Sequence, residues 1–310
     1  MHLNIKPKLN KMKTNRLLLF VGSIFLSSLL ILSSCRKKED EQDNDTSSAS
    51  ENAYAEGVLN DISSIGDQAG WNNNGNSLNT YRNGIDDNAV FLISCVDSIV
   101  RDTTSATKKI TVYFGNRLCQ DGRIRSGALK FSYTNGQKYR DSGVVISVTP
   151  LNYVVDGYSV SGTKTITNLG RINGNFRWSI VANISLINLT NGGIITYACN
   201  RTKELLNTAT VYNGPSLPIN WANAKIGITG SANGNSSNGN SYSAIIQTQL
   251  VRDFTCAPDP LRPHRHPFIS GVVDFTPGSK PKRTVNFGNG TCDMNATVTV
   301  NGNTYNFVLR

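Results

Sequence analysis

The stretch ATVTVNGNTYNFVL, residues 296–309, shows in its clearest form how this chain is built. Val298 and Val300 alternate with threonines, and a period of two residues is typical of a β-strand with one buried face. Asn301-Gly302 then supplies the two positive-φ positions of a type I′ turn, and a second strand-like segment follows. The stretch therefore predicts an antiparallel β-hairpin.

The same turn signal recurs along most of the chain. Ten Asn-Gly dipeptides occur, beginning at residues 74, 83, 135, 173, 191, 213, 233, 238, 289 and 301. Apolar residues alternate with polar ones between them, as in ITVYF (110–114) and VVISV (144–148), and Tyr158–Thr167 places serine and threonine on one face. The pattern predicts an all-β fold, an antiparallel meander of about ten to twelve strands with a hydroxyl-rich outer face. An extended sheet, a sandwich and an open barrel all fit it.

Two segments differ from this alternation. Phe176–Leu189 is apolar on both faces, which predicts a strand in the middle of the sheet. In residues 51–68, Tyr54, Val58, Ile62 and Ile65 recur at steps of three or four, the spacing of one helix face. One short N-terminal helix is therefore expected beside the strands.

Composition supports the all-β prediction and excludes other classes. The chain has 310 residues, of which 38% are hydrophobic and 17% charged, so it can form a core and is not wholly disordered. It contains 37 Asn and 27 Gly, both of which weaken helix interiors. A coiled coil or a helical bundle is therefore disfavoured.

The N-terminus has the layout of a secretory signal. Five cations between Lys6 and Arg16 precede the apolar run Leu17–Leu32, which ends in Ser-Ser-Cys35. Sixteen residues are short for a membrane span of about 20, and Leu32–Cys35 resembles the bacterial lipobox. We expect residues 1–34 to be a lipoprotein signal peptide, with Met12 as an alternative start, and Cys35 to carry the lipid. An uncleaved signal anchor is the alternative.

The segment after Cys35 predicts how the protein is held. Residues 35–51 are charged and hydroxyl-rich, as in a flexible tether, and two or three acyl chains would anchor the protein stably in the membrane. The acidic cluster EDEQDND (39–45) resembles the surface-export signal of Bacteroidetes-type lipoproteins. The expected location is the outer membrane, at the cell surface, with the periplasmic face as the alternative. Residues 52–310 are expected to form a single β-rich domain.

Net charge argues against a nucleic-acid partner. The whole chain carries +10, but the signal contains five cations and no acid, so the mature chain carries 26 cations and 21 acids, or +5. Apart from Arg36-Lys37-Lys38 in the segment after Cys35, the body of the chain has no run of clustered Lys or Arg, the pattern that phosphate backbones select.

An internal repeat organises the cysteines. ITVYFGNRLC (110–119) and RTVNFGNGTC (283–292) agree at six of ten positions without gaps, which indicates similar hairpin units within one sheet. Five cysteines remain after Cys35, and two disulfides among them can form in fifteen ways. Each repeat unit has one further cysteine upstream, which selects Cys95 with Cys119 and Cys256 with Cys292. Cys199 is left over and is interpreted as a buried small apolar residue.

Candidate ligand residues are few, and no catalytic residue can be assigned. The chain has no Gly-x-Ser-x-Gly, His-Glu-x-x-His, Walker or Gly-x-Gly-x-x-Gly motif. His264 and His266 could bind a metal but have no matching third ligand, so neither a metal nor a cofactor is expected. Trp71 and Trp221 are candidates for stacking on a sugar, whereas Trp178 lies in an apolar strand and is expected in the core.

Four segments carry a resemblance that extends over residues 52–310: CQDGRIRSGALK (119–130), YRDSGVVISV (139–148), VSGTKTITN (160–168) and FGNGTCDMNATVTVNG (287–302). Together they resemble a family of Bacteroidetes-type envelope lipoproteins of unknown function. The resemblance implies an envelope lipoprotein built of β-strands, and the family contributes no activity or site. Cys199 and the His264/His266 loop are not features of that family.

The sequence thus predicts an outer-membrane lipoprotein acting as a binding or structural module, in contact with a glycan or an envelope protein. The alternative is a glycan-acting hydrolase or a carbohydrate-binding protein. Of these two, the hydrolase would need two carboxylates brought together in space.

Overall fold

Thirteen antiparallel strands follow one another in the described part of the chain, and each pairs with its neighbours in sequence, so that the first and the last strand form the two edges of the sheet. The computed structural model describes residues 47–71, 95–119, 122–134, 138–139, 141–212, 214, 219, 223–256 and 268–308. The strands are β1 (Val96–Asp102), β2 (Thr107–Leu118), β3 (Ile124–Thr134), β4 (Val145–Val155), β5 (Tyr158–Ile172), β6 (Asn175–Asn188), β7 (Ile194–Leu205), β8 (Lys225–Asn235), β9 (Ser241–Asp253), β10 (Phe268–Pro277), β11 (Arg283–Asn289), β12 (Asn295–Val300) and β13 (Asn303–Val308). The predicted meander is confirmed. Of an extended sheet, a sandwich and an open barrel, the strands form the first, a single open sheet.

The tight turns explain why the sheet has no crossovers. At the β5–β6 turn Asn173 and Gly174 have φ of 55° and 87°, and at the β12–β13 turn Asn301 and Gly302 have φ of 50° and 78°. These are the positive values that a type I′ turn requires, and Asn and Gly adopt them at little cost. Each turn returns the chain directly onto the preceding strand.

One long helix, α1 (Ser47–Trp71), lies across one face of the sheet, which we call the inner face. The helix contacts strands as far apart as β2 and β10. Val58, Ile62 and Ile65, three of the four residues of the predicted stripe, are at most 2% exposed. They belong to the main core cluster, together with Phe131 and other inward residues of the sheet. The four-residue helix α2 (Thr208–Val211) covers a second apolar cluster, and Trp178 packs against both.

The helix is longer than the sequence pattern predicts. It begins at Ser47 rather than 51, so its first five residues overlap the C-terminal end of the predicted tether 35–51. The reason is tertiary: Ser48 is buried, and the Glu51 carboxylate accepts a hydrogen bond from the backbone N–H of Ser237 at 2.6 Å. None of the helices in the described residues combines the length and the apolar character of a membrane span.

The strand predicted to be central, β6, lies inside the sheet but is buried on one face only. Ile184 and Leu186 are at most 2% exposed on the inner face, whereas Val181 is 51% exposed on the opposite, outer face. The difference arises because α1 and α2 pack on the inner face, so aliphatic residues on the outer face of β6 remain in contact with solvent.

Two disulfides fasten strand ends, and they are the pairs predicted from the repeat. Cys95–Cys119 joins the beginning of β1 to the end of β2, over a sequence separation of 24. Cys256–Cys292 joins the end of β9 to the end of β11, over a separation of 36. Loops of this size correspond to about 3–4 kcal/mol each in the chain-entropy model.

Candidate functional site

Most residues proposed from the sequence as ligand contacts fall outside the described part of the chain. This holds for Trp221, His264 and His266, and also for the predicted lipidation residue Cys35. Trp71 is the last residue of α1, and its side chain also lies outside the described set. Among the described residues, no group of three or more His, Cys, Asp or Glu side chains could hold a metal ion.

Buried charged residues interrupt the apolar inner face on β3, β5 and β7, and Arg125 of β3 is held in a 2.7 Å ion pair with Asp61 of α1. On β5, Lys164 lies between the inward residues Val160 and Ile166 and is 3% exposed. On β7, Arg201 follows Tyr197 in the inward series and is 5% exposed. Long charged side chains are almost never fully buried without partners. These two positions are therefore the strongest site signal in the fold.

The ammonium of Lys164 attaches the sheet to the middle of α1. It donates hydrogen bonds to the carbonyl oxygen of Leu59 and to the hydroxyl of Ser63. Both acceptors are neutral, so the charge of the ammonium is only partly compensated by its hydrogen-bond partners. Burial accordingly lowers the pKa of Lys164 to about 7.

Arg201 makes a second attachment to the same helix. Its Nη2 atom lies 3.4 Å from a carboxylate oxygen of Glu56. Its Nε and Nη1 atoms, and the hydroxyl of Tyr197, are buried without a hydrogen-bond partner among the described residues. The hydroxyl of Tyr197 lies within interaction range of both the Arg201 guanidinium and the Cys199 thiol, but at a geometry poorer than that of an ordinary hydrogen bond.

A small cavity lies where these groups meet, and we call it the inner cavity. Its volume is about 20 Å³, and its walls include Glu56 of α1, Lys164 of β5, and Tyr197, Arg201 and Lys203 of β7. A cavity of this volume holds one water-sized occupant. The polar part of its lining includes three cations and a tyrosine hydroxyl, against one carboxylate.

Cys199 also borders the inner cavity and is the one free cysteine of the described residues. It is 8% exposed, in agreement with the interpretation as a buried residue. Burial raises the pKa of its thiol, so the thiolate is disfavoured at neutral pH. This environment gives no support to a nucleophilic role.

The chain matches no family model, no curated protein and no solved structure. Function must therefore be argued from the geometry of the molecule and from the residues themselves.

A second, larger depression lies at the tips of two neighbouring hairpins, and we call it the tip groove. It has a volume of about 500 Å³ and is lined by Gly192, Gly193, Ile194 and Thr196 of the β6–β7 hairpin and by residues 235–237 and 239 of the β8–β9 hairpin. None of these lining residues is charged. Glycine, serine, threonine and asparagine make up the rest of the lining, and Ile194 is an aliphatic contact that is 49% exposed.

Helix α1 supports one side of the tip groove. Glu51, in the first turns of the helix, accepts hydrogen bonds from both the backbone N–H and the hydroxyl of Ser237. The hydroxyl of Ser236 is held in turn by the carbonyl of Asn240 at 3.0 Å. The groove is therefore shaped by fixed hydrogen bonds within the protein.

Sequence reasoning missed both of these sites. For the inner cavity a signal was present, because Lys164 and Arg201 occupy inward positions of strands that otherwise alternate cleanly. For the tip groove no comparable signal exists, since Asn, Gly and Ser are ordinary turn residues. Its shape depends on two hairpins that are neighbours only through the pairing of β7 with β8.

Proposed function

We propose that the protein is a lipid-anchored component of the outer membrane, displayed at the cell surface, whose β-domain is a binding module. The lipobox-like residues ending at Cys35 and the acidic cluster 39–45 support the anchor and the location. The open sheet with its helix supports the idea of a rigid platform that presents its loops to a partner.

The tip groove is the observation that carries the binding role. Its volume of about 500 Å³ is sufficient for a small ligand, and because the depression is shallow and open, such a ligand would keep much of its surface in contact with solvent. Because its lining is uncharged and rich in hydroxyl and amide groups, it suits a neutral polar ligand such as a glycan better than a nucleic acid.

Hydrolysis of a glycan receives less support than binding. A glycoside hydrolase usually needs two carboxyl groups about 5–10 Å apart across the bond to be cleaved. The lining of the tip groove includes no carboxylate, and the nearby Glu51 is already engaged by Ser237. Several other described carboxylates pair with cations of the sheet: Asp97 with Arg117, Asp156 with Arg123, Glu204 with Arg177 and Asp253 with Lys225.

The location is tested on intact cells. Wild-type protein should fractionate with the outer membrane and be cleaved by external protease, whereas Cys35→Ala should be lost from the membrane fraction. Neutralising the acidic cluster with Glu39→Gln, Asp40→Asn and Glu41→Gln should leave the protein in the membrane but shield it from protease. Protection of the wild type in intact cells, with cleavage after permeabilisation, would show a periplasmic location.

The binding role is tested with the purified full-length protein and a panel of immobilised neutral oligosaccharides. Ile194→Asp places a charge in the tip groove and should lower binding at least tenfold. Val181→Asp is the matched control, because Val181 has nearly the same exposure, 51% against 49%, and does not line the groove. Equal binding by both variants would contradict the groove as the site, and absence of binding by the wild type would favour a structural role.

A further inference from the structure

The inner cavity is separate from the tip groove and carries an excess of positive charge. Three cations line it, Lys164, Arg201 and Lys203, against the single carboxylate of Glu56. Asp67 of α1 acts electrostatically on both lysines from outside the lining and compensates part of that charge. Asp61 also acts on Lys164 but is paired with Arg125, so cations still outnumber acids in and around the lining.

The unpartnered groups at the inner cavity are hydrogen-bond donors. The guanidinium of Arg201 can only donate, and two of its three nitrogens are buried without a partner in the described part of the chain. The Tyr197 hydroxyl, which is 1% exposed, is in the same situation. Leaving a buried donor unsatisfied costs about 1–3 kcal/mol and more when it is charged, so native structures almost always fill such a site with water or an ion.

Size and charge together select the occupant. The cavity of about 20 Å³ admits one water-sized sphere, which excludes phosphate, sulfate and carboxylate ligands. A water molecule would satisfy some of the donors but leave the excess of positive charge uncompensated. A monoatomic anion accepts hydrogen bonds from every side and also neutralises charge.

We propose that the inner cavity binds one small monovalent anion of the halide class, chloride in a natural setting, which accepts hydrogen bonds from Arg201 and Tyr197 and lies close to Lys164. The anion fastens the middle of α1 to β5 and β7, since the same side chains already bond to Glu56, Leu59 and Ser63 of the helix.

This inference does not depend on the proposed binding role, because the inner cavity lies beneath α1 and shares no lining residue with the tip groove. An anion that binds only the folded state raises the free energy of unfolding by RT ln(1 + [anion]/Kd). The melting temperature should therefore rise with halide concentration more than general ionic strength explains.

The experiment compares thermal unfolding of the full-length protein in sodium chloride, sodium bromide and sodium gluconate at equal ionic strength. Gluconate is too large for the cavity and reports the general salt effect. We expect a melting temperature several degrees higher in chloride and bromide than in gluconate. Equal melting temperatures in the three salts would overturn the proposal.

Two matched variants locate the effect. Arg201→Lys keeps the charge but removes the Nε and Nη1 donors, so it should abolish the halide-specific shift. Arg117→Lys makes the same exchange at an ion pair whose Arg side chain is 55% exposed, and it should retain the shift. A shift that persists in Arg201→Lys would place the anion elsewhere and contradict the assignment.

A measurement on the wild type alone covers the case in which Arg201→Lys fails to fold. Crystals grown in sodium bromide should show an anomalous peak within hydrogen-bond reach of the Arg201 guanidinium and the Tyr197 hydroxyl. Density in the inner cavity without an anomalous signal would identify water and reject the anion site.

Discussion

At the scale of single residues, Lys164 combines a structural contact with an electrostatic cost. Its ammonium is 3% exposed and bonds to α1 through neutral acceptors, and burial lowers its pKa to about 7 from 10.5. The groups that face it are Cys199 and Lys203 on β7 and Asp61 and Asp67 on α1. A lysine with a depressed pKa binds its proton less readily in the folded state than in the unfolded state, so it makes folding depend on pH.

The first prediction is that Lys164 destabilises the protein at low pH and that this cost is relieved as pH rises. Below pH 7 the Lys164 amine is protonated in both the folded and the unfolded state, so the folded state carries the full free-energy cost of the buried charge. Between pH 7 and 10.5 the unfolded state binds more protons than the folded state. Relative to Lys164→Met, the wild type should gain stability from pH 7 to 9, by up to about 1.4 kcal/mol per pH unit. Urea unfolding in halide-free buffer, with the disulfides intact, measures the difference.

Lys225→Met is the control for that measurement, because the Lys225 side chain is 48% exposed and pairs with Asp253. Its stability difference from the wild type should stay nearly constant from pH 7 to 9. If the curves of wild type and Lys164→Met run parallel over that range, the ammonium is not buried in the way described.

Residue-level prediction from the sequence succeeded where chemistry is local. The type I′ positions Asn173-Gly174 and Asn301-Gly302 follow from backbone preference, and the cysteine pairs follow from the repeat. Glu56 and Arg201 could not be paired in advance, since they are 145 residues apart and meet only after β7 and α1 pack.

At the scale of elements, α1 is bound to the sheet by polar contacts along its length as well as by its apolar stripe. Glu51 holds Ser237, Glu56 faces Arg201, and Asp61 forms an ion pair with Arg125 at 2.7 Å whose side chains are 8% and 0% exposed. Breaking a buried pair of this kind typically costs about 3–5 kcal/mol. The stripe alone predicted that a helix exists, but these contacts determine where it starts and how it is oriented.

The second prediction uses two glycines of α1 that differ only in their surroundings. A Cβ at Gly66 would overlap the Phe131 ring and lie 2.5 Å from the Tyr139 hydroxyl oxygen, whereas a Cβ at Gly57 would meet only the Arg123 guanidinium at 3.6 Å. Gly→Ala raises helix propensity by about 1 kcal/mol, and forced overlap in a packed core costs about 1–3 kcal/mol.

Gly57→Ala should therefore raise the melting temperature by about 2–4 °C, while Gly66→Ala should lower it, as measured by circular dichroism. Because both substitutions add the same methyl group to the same helix, propensity cancels in the comparison. Equal shifts in the two variants would mean that α1 does not approach Phe131 as closely as the structure places it.

At the scale of the whole molecule, the fold is a chain of local pairings. Each strand pairs with its sequence neighbours, so most contacts follow from short turns, which is why periodicity and Asn-Gly dipeptides sufficed to predict the architecture. What they could not predict is which face α1 covers, because an alternating strand has an apolar face in any arrangement. The outer face of β6 shows the limit, since its aliphatic residues suggested burial that the single covering layer does not provide.

The third prediction follows from the open end of this sheet. Among the described side chains of β12 and β13, Ala296 is the one buried hydrophobic residue, at 4% exposure. No described strand pairs with the far side of β13. Truncation after Asp293 keeps the Cys256–Cys292 bond and removes this last hairpin. The shortened protein should remain folded, with a melting temperature within about 5 °C of the wild type, because the described side chains of this hairpin bury little apolar surface and so contribute little free energy.

Deletion of residues 47–71, which removes α1 on the N-terminal side of the sheet, is the matching change and should have the opposite result. It removes Val58, Ile62 and Ile65 from the core and uncovers the inner face, and each such side chain contributes about 1.5–3 kcal/mol when fully buried. We expect loss of cooperative unfolding and strong binding of a hydrophobic dye. We expect α1 to contribute most to the free energy of unfolding and the terminal hairpin least. If truncation after Asp293 abolishes folding as completely as the helix deletion does, the sheet depends on its last hairpin and this order is refuted.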